Sequence, residues 1–519
     1  MALIKDTHRS DEHGLTLKVA RGSLWSLGGQ GVTLLASLIT TPVVIRCLGA
    51  EAYGVLALVS VVMAYVAFSD LGMATASTRF AAEKYAHGDE EGEAAVVWTS
   101  LLVLSAPVLL MATGLVLGAR TLVVHVLSIP GHLQEDCVLA FRLVAVALVA
   151  RSIAGVLNTP QLVRLRLKVY NIISTGGSAG QMFLIPIVLL LGGGLVSVVA
   201  VMAAASLFTA GLHAFYSNRY LLRLTAPKIQ RELVKPLLRF GASVLFILFA
   251  GTLLFHIEKP ILARLGSVRE LAYYAVAFTV ARVLALVPGA LNQSLLPAMS
   301  RLQATPNPAP LEEFFHRAIR GIVLWSLPAA LLIWVLAHPF LKVWAGEEFA
   351  RGSLLPLRIL LVGAIFDGIS YVPRALLEAL GKPELVARCQ MIELVPYVVA
   401  ACYSIHFFGA TGAATIWSLR AIAEGLWVFR AAHRVSSLST LSVLVSPAIR
   451  TVILVAIVPV LALELTSTSV EVTGSVVVGS LTVYGVLAWR SVLTHEERVW
   501  VRNFFRNGFG RWLSQATGR

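Results

Sequence analysis

Apolar stretches of roughly twenty residues, almost free of charged side chains, alternate along the chain with short polar segments. A helix of about 20 residues crosses the ~30 Å hydrocarbon core of a bilayer. Because every backbone N–H and C=O inside lipid needs an internal partner, repeated runs of this kind predict a helical bundle. The pattern therefore predicts an all-α integral membrane protein with about 14 transmembrane helices, at Leu24–Ile45, Ala52–Gly72, Ala94–Leu117, Cys137–Leu157, Tyr170–Leu191, Leu195–Ser217, Phe240–Leu262, Leu271–Met299, Ala318–Phe340, Ser353–Tyr371, Val386–Phe408, Ala410–Phe429, Val445–Leu463 and Gly474–Trp489.

The basic residues fall mainly in every second gap between these spans. If the N-terminus is cytoplasmic, the inner gaps with the adjoining span ends hold 29 Lys and Arg residues, and the outer gaps with their adjoining span ends hold 7. By the positive-inside rule, both termini are then cytoplasmic. We expect a bacterial inner membrane location. The tail segment 495–512 has the pattern of a basic amphipathic helix lying on the cytoplasmic leaflet, although a solvated tail fits it equally well.

Composition narrows the classes of function. The chain of 519 residues is 57% hydrophobic and only 13% charged, with a net charge of +14 and a mean hydropathy of +0.80. Nucleic-acid binding is disfavoured because there is no soluble basic domain to carry it. The four cysteines form neither CxxC nor Cys/His pairs, so we expect no metal site and no cofactor.

A weak internal repeat suggests two similar lobes. Residues 21–80 and 239–302 share a layout in which Arg-x-Leu-Gly or Arg-Leu-Gly is followed by Glu, Tyr and a later Arg. Six spans separate the copies, so both have the same orientation. Parallel repeats place a binding site near the bilayer midplane and permit alternating access. The predicted segments are a cytoplasmic N-terminal segment (1–23), an N-lobe of six helices (24–217), a basic linker (218–239), a C-lobe of six helices (240–430), and helices 13 and 14 with the tail (431–519).

The first span carries a polar stripe that includes Gln30, Thr33 and Ser37 at spacings of three and four residues. This spacing keeps all three on one helical face. The stripe predicts either the lining of a hydrated cavity that binds sugar hydroxyls or a close helix–helix contact made by small residues.

Arginines inside the spans are candidate ligands for an anion. Arg282 and Gln293 are eleven residues apart in the eighth predicted span and would share a face of a regular helix. Arg142 is deeper in the fourth span than Arg151. A guanidinium suits a diphosphate because it makes paired hydrogen bonds and stays charged. The alternative for each arginine is a structural ion pair or a side chain that reaches the interface.

Acidic residues in the spans suggest coupling or gating. Glu258 and Lys259, near the outer end of the seventh span, are either a coupling site or a surface ion pair with a neighbour such as Arg264. Asp70 and Arg79 flank the end of the second span and suit a structural role in the cytoplasmic hairpin. Asp367 and Glu393 are each a proton relay or the partner of a basic residue, and the i, i+4 spacing of Arg420 and Glu424 predicts a local ion pair.

Two stretches resemble a known family. Residues 41–54 (Thr-Pro-Val-Val-Ile-Arg-Cys-Leu-Gly-Ala-Glu-Ala-Tyr-Gly), followed by Ser69-Asp70-Leu71-Gly72 and Arg79, resemble the first hairpin of Wzx-type polysaccharide flippases of the multidrug/oligosaccharidyl-lipid/polysaccharide exporter superfamily. Glu258-Lys259-Pro260-Ile261-Leu262, Leu265-Gly266, Tyr273-Tyr274 and Pro297 resemble the corresponding later helices, although the family often has Asp where this chain has Glu258.

This resemblance implies a flippase that moves a polyprenyl-diphosphate-linked oligosaccharide from the cytoplasmic to the periplasmic leaflet, for O-antigen, capsule or exopolysaccharide synthesis. The implied partners are the bilayer, the lipid-linked oligosaccharide, and the polysaccharide polymerase and chain-length machinery.

Two alternatives remain. A cation-coupled multidrug exporter of the same superfamily would need an acid-lined cavity, and it usually has twelve spans. A membrane glycan polymerase or acyltransferase would need paired catalytic groups or a large external loop, and the outer gaps here are short. There is no GxxxxGK[ST] motif, which argues against direct ATP hydrolysis. We therefore expect a transporter rather than an enzyme.

Overall fold

The computed structural model describes residues 2–66, 70–221, 228–303, 309–436, 438, 470–492, 498–499 and 502, and these residues form helices and turns without any β-strand. The α-helices in this part of the chain are α1 (Ala2–Val66), α2 (Met73–Ala86), α3 (Glu90–Thr121), α4 (Gln134–Leu157), α5 (Thr159–Val163), α6 (Leu167–Leu190), α7 (Leu195–Tyr220), α8 (Arg231–His256), α9 (Glu258–Leu265), α10 (Val268–Ala281), α11 (Leu286–Gln303), α12 (Ala309–Trp344), α13 (Glu347–Ala379), α14 (Pro383–Ser436) and α15 (Val470–Leu487).

Nine helices within the described residues are long and apolar enough to cross a membrane. This confirms the prediction of an all-α, multi-pass membrane protein. The thirteenth predicted span (445–463) lies outside the described residues, and so does most of the predicted amphipathic segment 495–512. The count of 14 spans is consistent with the structure and stays a prediction.

Two of the long helices are broken at a glycine. Gly49 in α1 has φ 78° and ψ 173°, and Gly409 in α14 has φ 54° and ψ −131°. A residue without Cβ adopts positive φ at little cost, so each glycine allows the chain to leave the helical path and start a second arm. The breaks fall in the gaps predicted after the first and eleventh spans.

The start of α3 illustrates how local sequence fixes a helix end. Asp89 is the N-cap, and its Oδ1 accepts a hydrogen bond of 2.7 Å from the N–H of Gly92. This bond, assisted by the nearby Lys84 ammonium, holds the pKa of Asp89 below its usual value. The first turn also carries acidic side chains, and the positive end of the helix dipole stabilises their negative charges.

The chain forms two compact units. The first unit comprises Met1–Leu34, Ala277–Cys389 and Ala414–Arg519, and the second comprises Leu35–Val276 and Gln390–Ala413. The core of the first unit is built by α11 to α14 around Phe315 and Phe429, whose rings meet edge to face with their centroids 6.4 Å apart. The core of the second unit packs α2, α3, α4 and α8 together. The predicted boundaries of the two lobes stay predictions.

The eighth predicted span is not one regular helix. A 3-10 turn at Arg282–Ala285 separates α10 from α11. The side chain of Gln293 lies outside the described residues, so the prediction that Arg282 and Gln293 share one helical face stays a prediction.

Candidate functional site

Four charged side chains of α13 and α14 in the first unit form a connected set of ion pairs, which we call the charge network: Asp367, Arg374, Arg420 and Glu424. Arg374 Nη2 lies 3.4 Å from Asp367 Oδ1 and 3.0 Å from Glu424 Oε1. Arg420 Nη1 donates to the second oxygen of Glu424 at 2.8 Å. The side chain of Glu424 is only 2% exposed. Because water is excluded, each of these charges depends on its partners for compensation.

Arg282 adds a third guanidinium beside the charge network. It lies in the 3-10 turn Arg282–Ala285, which packs against α13, the helix that carries Asp367 and Arg374. Arg282 itself is exposed, whereas Arg420 and Glu424 are buried and Asp367 and Arg374 are half-buried. A planar guanidinium binds phosphate oxygens in pairs, so this arrangement can hold an anion at Arg282 without separating the buried ion pairs.

The charge network decides two of the alternatives that the sequence left open. The predicted pair of Arg420 and Glu424 is confirmed. Asp367 is not a lone acid, because it pairs with Arg374. Sequence reasoning missed Arg374 as a site residue because it placed the end of the tenth span at Tyr371. The helix α13 continues to Ala379 and carries Arg374 within it.

Glu258 occupies a buried polar site in the second unit. Its side chain is 0% exposed and accepts a hydrogen bond of 3.1 Å from the Tyr274 hydroxyl and one of 3.3 Å from the Tyr397 hydroxyl. Because Glu258 is buried, the alternative of a surface ion pair does not hold, and Arg264 donates instead to Ser128. The role of Glu258 in coupling stays a prediction. No spacing in the sequence indicated that the two tyrosines would be its hydrogen-bond partners.

Lys259 is nine-tenths buried next to Glu258. Its ammonium donates to Nδ1 of His256 at 3.1 Å, and the His256 ring lies edge to face with Tyr65 at a centroid distance of 6.3 Å. These contacts give the polar site a cation, two aromatic rings and a carboxylate in one region. Within the described residues, no three or more His, Cys, Asp and Glu side chains are grouped so that they could hold a metal ion.

Glu51 joins two segments that the sequence assigned to different lobes. Its carboxylate lies 3.1 Å from His132 Nε2 and 3.2 Å from Arg269 Nη2. Close by along these helices, a Cβ added to Gly54 would overlap the main-chain carbonyl of Val268. The backbones of α1 and α10 therefore approach very closely in the second unit. We call Glu51, His132 and Arg269 the Glu51 cluster.

Other predicted site residues are scattered. Arg142 is exposed on α4 and has no hydrogen bond or ion pair with any residue that the structure describes. The carbonyl of Ser37 accepts a hydrogen bond of 3.4 Å from the Thr40 hydroxyl. The side chains of Gln30 and Thr33 lie outside the described residues, so the proposed polar stripe stays a prediction.

Asp70 and Arg79 have separate local roles. Asp70 Oδ1 accepts a hydrogen bond of 2.8 Å from the N–H of Gly72, which stabilises the turn before α2. Arg79 packs instead over the ring of Phe240, with its guanidinium carbon 4.4 Å from the centroid. Both contacts fit the predicted role of this hairpin, and the gating role of Asp70 stays a prediction.

A buried ion pair between Glu93 and Arg164 escaped the sequence analysis. Glu93 is 0% exposed, and its two carboxylate oxygens lie 2.5 and 3.0 Å from the guanidinium nitrogens of Arg164. The same guanidinium lies over the Tyr85 ring at 4.8 Å. Because Glu93 comes in the first turn of α3 and Arg164 follows α5, both read in the sequence as loop charges.

A second polar set that the sequence analysis missed surrounds His213 on α7. His213 Nδ1 lies 3.1 Å from Gln161 Oε1, and its Nε2 lies 3.2 Å from the Ser174 hydroxyl. Gln161 also donates to the Ser217 hydroxyl at 3.1 Å. The only signal in the sequence was a histidine inside an apolar run. These contacts satisfy the polar groups that join α5, α6 and α7, which is a structural role.

Comparison with known proteins points to one class of transporters. The model of a family described as "Polysaccharide biosynthesis protein" matches residues 43–354. A Shigella flexneri protein named "Putative O-antigen transporter" is 23% identical over 423 residues, which cover 80% of this chain and 98% of that protein.

Among solved structures, the lipid II flippase MurJ in an inward closed conformation has a TM-score of 0.72 at 11% identity, over 91% of this chain and 100% of that one. An inward-facing multidrug resistance transporter of the MATE family and MOP superfamily has a TM-score of 0.68 at 16% identity, over 78% of this chain and 96% of that one. At these identities, the structural likeness establishes the fold.

Proposed function

Because this chain belongs to the polysaccharide biosynthesis protein family, we propose that it is a flippase for lipid-linked oligosaccharides. It moves a polyprenyl-diphosphate-linked oligosaccharide from the cytoplasmic to the periplasmic leaflet for the synthesis of a cell-surface polysaccharide. The named O-antigen transporter of Shigella flexneri and the fold of the lipid II flippase both support this assignment.

The observation that carries the proposal is the charge network together with Arg282. A diphosphate carries its negative charge into the membrane region, where an uncompensated charge is expensive. Arg282, in the turn that packs against α13, supplies the compensating cation beside carboxylates that already pair with arginines. A carrier of cationic drugs would instead need exposed carboxylates, and both carboxylates here are paired with arginines. We therefore favour an anionic substrate over the drug-exporter alternative.

The Glu51 cluster supports alternating access. Glu51 belongs to the predicted N-lobe and Arg269 to the predicted C-lobe, and both lie in gaps predicted to face the periplasm. A pair of opposite charges between exposed side chains is weak, about 0.2–1 kcal/mol, so it can form and break during each cycle. In this proposal the cluster closes the periplasmic side while the substrate enters from the cytoplasm.

The proposed setting is the bacterial inner membrane, with both termini in the cytoplasm. The polysaccharide polymerase and the chain-length machinery are the proposed partners, because they consume the translocated oligosaccharide. No step of this proposal requires a catalytic residue of the chain.

Removal of the Arg282 guanidinium tests the proposed substrate site. We expect Arg282→Ala to reduce the initial flipping rate of a fluorescent polyprenyl-diphosphate oligosaccharide about 10-fold to 100-fold in proteoliposomes, because one charge-assisted interaction contributes about 1.5–3 kcal/mol. Arg282→Lys should recover part of the rate, since the charge remains but the planar fork is lost. The measurement is protection of the fluorophore from a membrane-impermeant quencher.

Arg351→Ala is the matched control for this experiment. Arg351 is also in the first unit, but it is 78% exposed and pairs with Glu347 at the start of α13. Its removal should leave the rate unchanged. If Arg282→Ala flips the substrate at the normal rate, the cationic site is wrong. If the unmodified protein transports an organic cation and no lipid-linked oligosaccharide, the proposed function itself is wrong.

The orientation can be tested with a native cysteine. Cys47 is exposed, whereas Cys137 and Cys389 are buried and Cys402 is partly buried. Since Cys47 lies in the gap predicted to face the periplasm, a membrane-impermeant maleimide should label it in intact spheroplasts. Labelling should disappear in Cys47→Ser. In that background, His87→Cys on the opposite predicted side should react only after the membrane is permeabilised. The reverse pattern would contradict a cytoplasmic N-terminus.

A further inference from the structure

An open groove runs along the outside of the helical hairpin formed by α6 and α7 in the second unit. Its volume is about 610 Å³, and its walls are mainly apolar side chains such as Ile172, Leu184 and Phe208. Ile172 and Phe208 are more than 60% exposed. We call this feature the α6–α7 groove. Such a surface is suited to hydrocarbon rather than to a sugar.

Two glycines keep the floor of the groove deep. A Cβ at Gly176 or Gly180 would meet no atom within 4 Å, so both positions border open space. Gly177 is different, because a Cβ there would overlap the Thr209 hydroxyl of α7. The helices therefore touch at Gly177 and leave a channel beside the two other glycines.

The groove is longer than one leaflet of a bilayer. It extends on α6 from Val169 to Leu184, and a helical rise of 1.5 Å per residue makes this about 22 Å. One leaflet of hydrocarbon is about 15 Å thick, half of the ~30 Å core. An acyl chain of a phospholipid ends near the midplane and would leave the far part of the groove empty. A longer hydrocarbon chain would fill it.

One end of the groove has a basic rim, made of Arg166, Lys168 and Arg219. All three side chains are exposed, and none forms an ion pair within the part of the chain that the structure describes. Arg166 lies over the Tyr220 ring, with its guanidinium carbon 5.7 Å from the centroid. These residues fall in gaps predicted to face the cytoplasm. The rim therefore offers several positive charges to an anionic headgroup at the membrane surface.

We propose that the α6–α7 groove binds the polyprenyl chain of the lipid-linked substrate, with the diphosphate at the basic rim. This inference rests on the proposed function, and it adds a site where the lipid portion is held before the glycan is translocated. The length of the groove favours an isoprenoid chain over an ordinary acyl chain, and the positive charge of the basic rim favours a headgroup that carries a diphosphate. Binding here also concentrates the substrate on the cytoplasmic side of the protein.

Filling the groove tests the proposal. In nanodiscs, a polyprenyl diphosphate with a photoreactive group in its tail should crosslink to peptides of α6 and α7 in the unmodified protein. Gly180→Leu and, separately, Gly176→Leu should reduce that crosslinking at least 10-fold, because the new side chains occupy the channel. Gly211→Leu is the matched control. It lies on α7, does not line the groove, and also has open space around its Cβ, so crosslinking should be unchanged.

The outcomes separate this inference from the proposed function, because crosslinking requires binding but not transport. If both groove variants crosslink and flip normally, the groove assignment is wrong and the flippase assignment stands. If the unmodified protein crosslinks in the groove but flips nothing, the groove assignment stands and the proposed function fails. If a 100-fold excess of phosphatidylglycerol abolishes the crosslinks, the groove is a phospholipid site and the proposal is overturned.

Discussion

Replacing Glu424 by Gln is expected to destabilise the protein by about 3–5 kcal/mol, the cost of removing one partner from a buried ion pair. The Glu424 carboxylate holds Arg420 at 2.8 Å and Arg374 at 3.0 Å. After substitution, Arg374 and Arg420 would lose the carboxylate that they share, and Arg374 would keep its 3.4 Å pair with Asp367. Since folded proteins are stable by roughly 5–15 kcal/mol, this loss is a large fraction of the total. The measurement is the midpoint of thermal unfolding in detergent, followed by size-exclusion chromatography.

A matched control and a rescue sharpen this prediction. Glu313 and Arg317 have the same i, i+4 spacing at 2.7 Å, but Glu313 is 60% exposed, so Glu313→Gln should cost no more than about 1 kcal/mol. The double variant Glu424→Gln with Arg420→Gln removes one charge of each sign and should recover part of the stability. A midpoint in Glu424→Gln as high as in Glu313→Gln would show that the charge network does not stabilise the fold.

Substitution of Gly54 should abolish most transport while the protein still inserts. A Cβ at this position would overlap the carbonyl of Val268, and both partners are main-chain atoms of helices, which cannot move aside cheaply. Gly54→Ala would push α1 and α10 apart and weaken the 3.2 Å pair between Glu51 and Arg269. We expect a fall in flipping rate of about 10-fold, with a further fall in Gly54→Leu.

Gly114→Ala is the comparison for Gly54→Ala. Gly114 also lies in a predicted span of the second unit, but a Cβ there would meet nothing within 4 Å. Its flipping rate and expression should match those of the unmodified protein. If Gly54→Ala transports as fast as Gly114→Ala, close approach of α1 and α10 is not needed in the transport cycle.

The membrane class could be predicted because it depends on composition over long windows. A run of about twenty apolar residues is long enough to cross the bilayer whichever helices surround it. The spans of α4, α6 and α7 therefore appear near their predicted positions. Helix breaks were harder to predict. The 3-10 turn at Arg282–Ala285 interrupts an apolar run that the sequence predicts as one span, although Pro288 just after it lacks the N–H that would bond to the Leu284 carbonyl.

The candidate site could be predicted only where its contacts are local. Arg420 and Glu424 are four residues apart, and their ion pair followed from helix geometry. The partners of Glu258 are 16 and 139 residues away, and Glu93 is 71 residues from Arg164. No periodicity along the chain contains such pairings, so the sequence left a surface ion pair of Glu258 open as an alternative to a coupling site.

By itself, the sequence determined that this protein is a multi-pass helical membrane protein, and its motifs indicated the flippase family. Both conclusions depend on properties of single segments: their length, their hydropathy and their local residue order. Only the tertiary structure decided which charges are buried together, that Arg374 joins Asp367 to Glu424, and where α6 and α7 leave an open groove. Those features arise from the packing of one helix against another. A shift of either helix by one turn would separate the charged groups that now pair.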